Sequence, residues 1–136
     1  MNRYLLTLSR VLLALIFVMS GVGKLFDFAG TQEQMAAAGM PLTALFLVGA
    51  IVLEIGGGLS LLLGWKVRYG VAALVVFLIP ATLIFHTNFA ERAQMIQFMK
   101  NLAIMGGLLA LAVVGPGALS LSSREETTRS RAAARS

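Results

Sequence analysis

Cysteine is absent from this chain, which excludes disulfides, thiol redox relays, iron–sulfur ligation and thiolate zinc sites built from its own residues. Histidine occurs once, as His86. A metal centre would need mixed ligands such as Glu54, Asp27 and His86, and none is expected. Charge is scarce: 12% of the 136 residues are Asp, Glu, Lys or Arg, against 58% hydrophobic. That balance excludes a disordered chain and is too apolar for a soluble domain. Strict apolar–polar alternation is missing as well, which excludes the strands of a membrane barrel. The run Gly56-Gly57-Gly58 lacks the Lys-Ser/Thr completion of a phosphate cradle and reads as a helix-packing site. No cofactor-ligation motif is present, so no covalently bound cofactor is expected.

What the chain does have is four apolar stretches, roughly 4–23, 42–64, 69–87 and 95–115. Each is close to the ~20 residues an α-helix needs to cross the hydrocarbon core. The fold class is therefore all-α: a polytopic four-helix transmembrane bundle over residues 1–121. The first stretch is expected to be a span rather than a signal peptide, because Arg10 interrupts it and no A-x-A-like cleavage site follows. Between the first two spans, Thr31 followed by Gln34 reads as a capping box, and Gly39 followed by Pro41 as a stop. These signals predict a short interfacial helix in the first outer loop. Pro80 should kink the third span. The fourth span begins before Lys100, since 101–115 alone is short. Residues 122–136, low in apolar content, are expected to form a disordered cytoplasmic tail.

The net charge of +5 is distributed by membrane side and does not point to nucleic acid. Arg3, Arg10, Lys66, Arg68 and the tail arginines 124, 129, 131 and 135 fall on one side, and Lys24, Arg92 and Lys100 on the other. This bias predicts that both termini are cytoplasmic.

Glu54 is the most informative residue, an acid with about ten apolar or small residues on either side. A carboxylate at mid-membrane costs about 2.5–3.5 kcal/mol on insertion scales. It is kept when it is paired, binds something or moves protons. Helical spacing places Arg10, Ala14, Phe17, Gly21 and Lys24 on one face of the first span. Glu54 falls with Ala50, Gly57 and Gly58, His86 one turn beyond Thr82, and Lys100 with Ala103, Gly107 and Ala110. Small-residue stripes are where membrane helices approach closely, so these charges are expected to face the bundle interior, in two layers. In the inner layer Arg10, about 9 Å from the boundary by helical rise, is expected to pair with Glu54. In the outer layer His86, Lys100, Asn101 and Thr82, with Lys24 or Asp27 at the rim, are expected to line a ligand pocket. Blander roles stand beside these: Arg10 snorkelling to the surface, Lys24 as a boundary anchor, His86 as an interfacial hydrogen-bonding residue, and Glu54 as a structural ion-pair partner.

With these residues placed, the chain resembles the DoxX family of small bacterial membrane proteins. The segments SGVGKLFDFAGT, LEIGGGLSLLLGW, ATLIFHTNF and FMKNLAIMGGLLALAVVGPGALSL carry the resemblance, in order and spacing, from about residue 3 to 121. It implies a four-helix bundle in the bacterial inner membrane. It also implies electron-transfer contexts, since related proteins are subunits of thiosulfate:quinone oxidoreductase and some members are linked with membrane-associated redox assemblies.

Three functions compete. The first is a quinone- or lipophile-binding component of a membrane redox system, a subunit of a quinone-linked oxidoreductase with redox-protein partners. His86 and Lys100 would hold a quinone carbonyl, and Glu54 would accept protons. The second is a non-catalytic membrane scaffold or subunit whose buried charges specify packing. The third is a small proton-coupled transporter in which Glu54 alternates between proton and substrate.

Overall fold

The computed structural model describes residues 2–136. Six helices follow one another: α1 (Asn2–Phe26), α2 (Phe28–Ala37), α3 (Thr43–Leu63), α4 (Val67–Phe85), α5 (Arg92–Val114) and α6 (Leu121–Arg135). Helices α1, α3, α4 and α5 are long and apolar enough to cross a membrane. With 19 to 25 residues each, they measure about 28–38 Å by helical rise. Their outward faces are apolar: Met19 is 71% and Val113 is 82% exposed, with Leu12, Val52, Val76 and Leu109 also open. Lipid is the solvent those faces require, because a soluble fold rarely exposes so large an apolar surface.

Glycines set the packing order. On α3, a Cβ at Gly57 would collide with Leu74 of α4, and a Cβ at Gly58 would collide with Val18 of α1. Adjacent positions on one helix thus serve opposite neighbours, and α3 lies between α1 and α4. A Cβ at Gly56 would meet nothing within 4 Å. α5 continues the row by packing against α4 and meets α1 only thinly. The main core joins Ala14 and Phe17 of α1, Leu61 of α3, Leu74 and Leu78 of α4, and Leu108 of α5. A smaller cluster seats α2 on α3 through Met35, Leu47 and Ile51. The termini, the α3–α4 turn and α6 share one end of the bundle, called the tail end below. α2 and the α4–α5 connection occupy the loop end.

The short interfacial helix exists, but the capping box does not. α2 starts at Phe28 after Asp27, and the Thr31 hydroxyl donates back to Asp27 O at 2.8 Å from inside the helix. The chain turns immediately after α1, so α2 nucleates a turn before the Thr31 signal. The stop is as read. Gly39 (φ +85°) donates to Ala36 O and Met40 to Met35 O, closing the helix in a Schellman arrangement. α3 ends the same way at Gly64 (φ +67°), with Trp65 N donating to Ser60 O at 3.0 Å. α4 remains helical through Pro80. α5 begins at Arg92, well before Lys100, as expected.

The tail departs from its expectation of disorder, because residues 121–135 form α6. A side-chain cap and two tertiary contacts start this helix. The Ser120 side chain accepts from Ser123 N at 3.2 Å, Ser122 N donates to Gly64 O at 3.2 Å, and Lys66 N donates to Ser122 Oγ at 3.3 Å. Once its first turn is held against the α3–α4 turn, the Glu-, Arg- and Ala-rich remainder propagates as helix. Nothing in α6 is buried.

Candidate functional site

Arg10, Ala14, Phe17 and Gly21 form the buried face of α1, as the spacing predicts. Lys24 continues it and is 23% exposed. Its ammonium lies 2.5 Å from Glu54 Oε1, while Glu54 is 1% exposed. The ammonium also donates to Ser20 Oγ at 2.8 Å and sits 5.5 Å from the centre of the Phe77 ring. At that distance from Glu54 the ammonium pairs the buried carboxylate directly. Gly21 lets the two helices come this close, since a Cβ there would collide with Ile55.

The expected Arg10–Glu54 pair is therefore replaced by Lys24–Glu54. The reason lies in helix geometry. Side chains on a helix tilt toward its N-terminus. On α1 that is the tail end, so Lys24 leans down to the level of Gly21, where Glu54 lies opposite. α3 runs the other way, so Glu54 leans up toward Lys24. Arg10 leans down and away from Glu54. It is 1% exposed and donates to Leu61 O at 3.0 Å and Leu119 O at 2.5 Å, tying together α1, the last turn of α3 and the chain after α5. It neither snorkels nor joins the cavity. Lys24, read alternatively as a boundary anchor, is an interior residue.

At the loop end a cavity of about 390 Å³ lies among all five of α1 to α5. Its walls are largely apolar, with Phe17, Leu47, Phe77, Leu78, Phe85 and Ile104 among them. The polar groups that reach it are Ser20, Lys24, Glu54, His86, Lys100 and Asn101, with Thr31 and Gln34 from α2 above and Gln97 from α5 beside. The two expected layers are thus one site: Glu54 and Lys24 belong to the same cavity as His86, Lys100 and Asn101. His86, just past the end of α4, has one ring nitrogen, Nδ1, buried without a partner. Burial first, and the Lys100 charge second, lower its pKa, so it is neutral near pH 7.

Two expected members stand outside the cavity wall. Thr82 is buried behind it and accepts from Asn101 Nδ2 at 3.0 Å, so it orients Asn101 instead of meeting a ligand. Asp27 precedes α2 and does not reach the cavity. Among the described residues no three acidic or histidine side chains are grouped to hold a metal ion. The stripe expected on α5 is also rotated. Asn101, Leu108 and Leu111 are the buried residues, whereas Ala103 and Ala110 are exposed and Lys100 stands at the cavity edge. α5 packs mainly on α4, so its buried face is set by one neighbour and the small-residue stripe points toward the thin side. The sequence reading did not single out Ser20, Phe77 or Gln97. Ser20 could have been found by the same periodicity, one turn before Lys24.

Comparison with known proteins agrees with this architecture. The DoxX family model matches residues 5–87, from the start of α1 to just past His86. The chain is 44% identical over 113 residues to the inner membrane protein YqjF of Escherichia coli strain K12, covering 83% of this chain and 85% of the relative. It is 34% identical over 125 residues to the inner membrane protein YphA of the same organism, covering 88% and 89%. No solved structure matches. The family match spans the helices that carry Lys24, Glu54 and His86, both relatives are matched over most of their length, and four apolar helices are present: the chain belongs to the DoxX family and is an integral inner-membrane protein.

Proposed function

We propose that this protein binds a quinone or a similar lipophile in the loop-end cavity and serves a membrane-associated redox system. One observation carries the reading: a largely apolar cavity gathers the Lys24–Glu54 pair, Lys100 and Asn101 around a buried polar atom without a hydrogen-bond partner, His86 Nδ1. An unsatisfied buried polar group is costly, and a ligand with hydrogen-bonding groups would complete it. Apolar walls with a few convergent polar groups are what a small-ligand site needs. A bound quinone would supply the electron-carrying chemistry, for which the chain has no cofactor motif. Neutral His86 and the Lys100 ammonium would hold a ring oxygen, Asn101 is set in place by Thr82, and Glu54 is positioned to take up a proton. Quinone titration monitored by protein fluorescence in nanodiscs tests this. Binding should be lost in His86→Ala and Lys100→Met with the fold intact, whereas Glu54→Gln should keep binding and slow any proton-linked turnover. Retained binding in both outer variants would remove the site from this cavity.

The Lys24–Glu54 contact supports a second reading, a scaffold whose buried charges specify packing, because a paired acid needs no ligand. The two readings part on whether small molecules co-purify in mild detergent.

The proposed orientation places both termini in the cytoplasm, following the Arg and Lys bias. The cavity then lies toward the periplasmic leaflet. Reporter fusions after Arg68 and after residue 121 should both report cytoplasm, and a periplasmic signal from either would reverse it.

A further inference from the structure

The seam between α1 and α5 is open beside the cavity. The two helices approach closely at Gly107, where a Cβ would stand 3.4 Å from Leu13 Cδ2. One turn nearer the loop end, Ile16 and Ser20 of α1 and Ile104 and Gln97 of α5 line the cavity instead. Ile16 is 39% exposed, and Lys100, also of the cavity wall, is exposed as well. The cavity therefore opens sideways, into lipid. Toward the tail end, beyond this approach, a separate shallow depression lies along α1, lined by Leu5, Leu8, Ser9, Leu12 and Leu13, with Gly107 from α5. Exposed Ala103 and Ala110 add no bulk on the α5 side.

The geometry points to a ligand of two parts: a hydrogen-bonding head that enters the cavity laterally between α1 and α5, and an alkyl or prenyl tail that lies in the groove along α1. This rests on the proposed function and adds the ligand's class, a tailed amphiphile taken from the membrane. The head belongs in the cavity because the polar groups are there. The tail belongs in the groove because the groove starts one turn away on the same two helices and is apolar but for Ser9. From Ile16 at the cavity to Leu5 in the groove is about 16 Å along α1 by helical rise. Lipid chains are as apolar as leucine, so the groove has little advantage over bulk lipid for a chain alone. Its occupancy by the ligand's tail must depend on the head being held.

That dependence supplies the test. The full chain in nanodiscs is irradiated with a benzoquinone bearing a diazirine near the end of a decyl tail, and the labelled residues are mapped by mass spectrometry. Label is expected on residues 5–13 of α1 and around Gly107. It should fall several-fold with excess tail-less ring and again in Lys100→Met. Gly107→Leu, and independently Ser9→Trp, should fill the groove and displace the label while tail-less ring still binds. Uniform labelling of lipid-facing residues that the ring does not compete, with ring binding intact, would mean only bulk lipid contact. It would overturn the groove and leave the proposed function standing. Failure of the ring to bind at all would overturn both.

Discussion

Lys24→Met should destabilise the protein more than Glu54→Gln, and the double variant should be more stable than Lys24→Met alone. Removing the lysine strands a carboxylate that is 1% exposed between α1 and α4. Breaking a buried pair in this way costs about 3–5 kcal/mol in soluble proteins. Removing the acid strands an ammonium that still holds Ser20 and faces the Phe77 ring. Being 23% exposed, it can also swing toward the loop end. The losses are therefore unequal, and they are sub-additive because the second substitution removes the charge left unpaired by the first. Thermal unfolding in detergent across the four proteins of the cycle reads this. Strictly additive losses would show that the 2.5 Å contact carries no coupling.

Arg10→Leu should cost as much by a different route, and Arg10→Lys should recover little of it. The guanidinium bonds Leu61 O and Leu119 O from two different nitrogens, with a longer contact to Thr7 Oγ1. Hydrogen bonds to a charged group contribute about 1.5–3 kcal/mol each, so losing the two short ones should lower stability by roughly 3 kcal/mol or more. A lysine places one point charge where the planar fork reaches two carbonyls. The connection between α5 and α6 should become protease-sensitive in both variants, because Leu119 loses its tether to α1. Combining Arg10→Leu with Glu54→Gln should give additive losses, within about 0.5 kcal/mol for sites that share no partner. Coupling between them would restore the rejected Arg10–Glu54 contact.

These expectations separate two kinds of arginine and lysine that composition alone treats alike. Arg10 and Arg68 both serve as caps at the tail end. Arg68 Nε donates to Ala112 O at 2.9 Å in the last turn of α5, where cations offset the unsatisfied carbonyls. Lys24 and Lys100, by contrast, turn polar groups toward the cavity. Part of the positive charge at the tail end thus holds helix ends together, whereas Lys24 and Lys100 stand at the cavity.

Much of this was legible in the linear chain because it depends on period and length alone. Four apolar runs of spanning length specify four helices, since hydrocarbon leaves backbone groups no partners but their own. The 3.6-residue period put Arg10, Ala14, Phe17 and Gly21 on one face, and that face is buried. Gly39 and Gly64 mark helix ends because each adopts a positive φ that other residues reach only at a cost. Pairing and depth were not legible. Whether Glu54 meets Arg10 or Lys24 depends on the register of α1 against α3 and on the opposite lean of side chains on antiparallel helices, neither of which a single helical wheel contains. The rotation of α5 follows from having one close neighbour, α4, where the stripe of small residues suggested another. α6 forms because Ser120 caps its first turn and Ser122 meets the α3–α4 turn, the latter a contact between residues more than fifty positions apart. The sequence alone determined the membrane, the number of spans and, on α1, the residues that face inward. Only the tertiary structure decided which charges meet, because that choice is made by interhelical distances of a few ångströms and not by spacing along the chain.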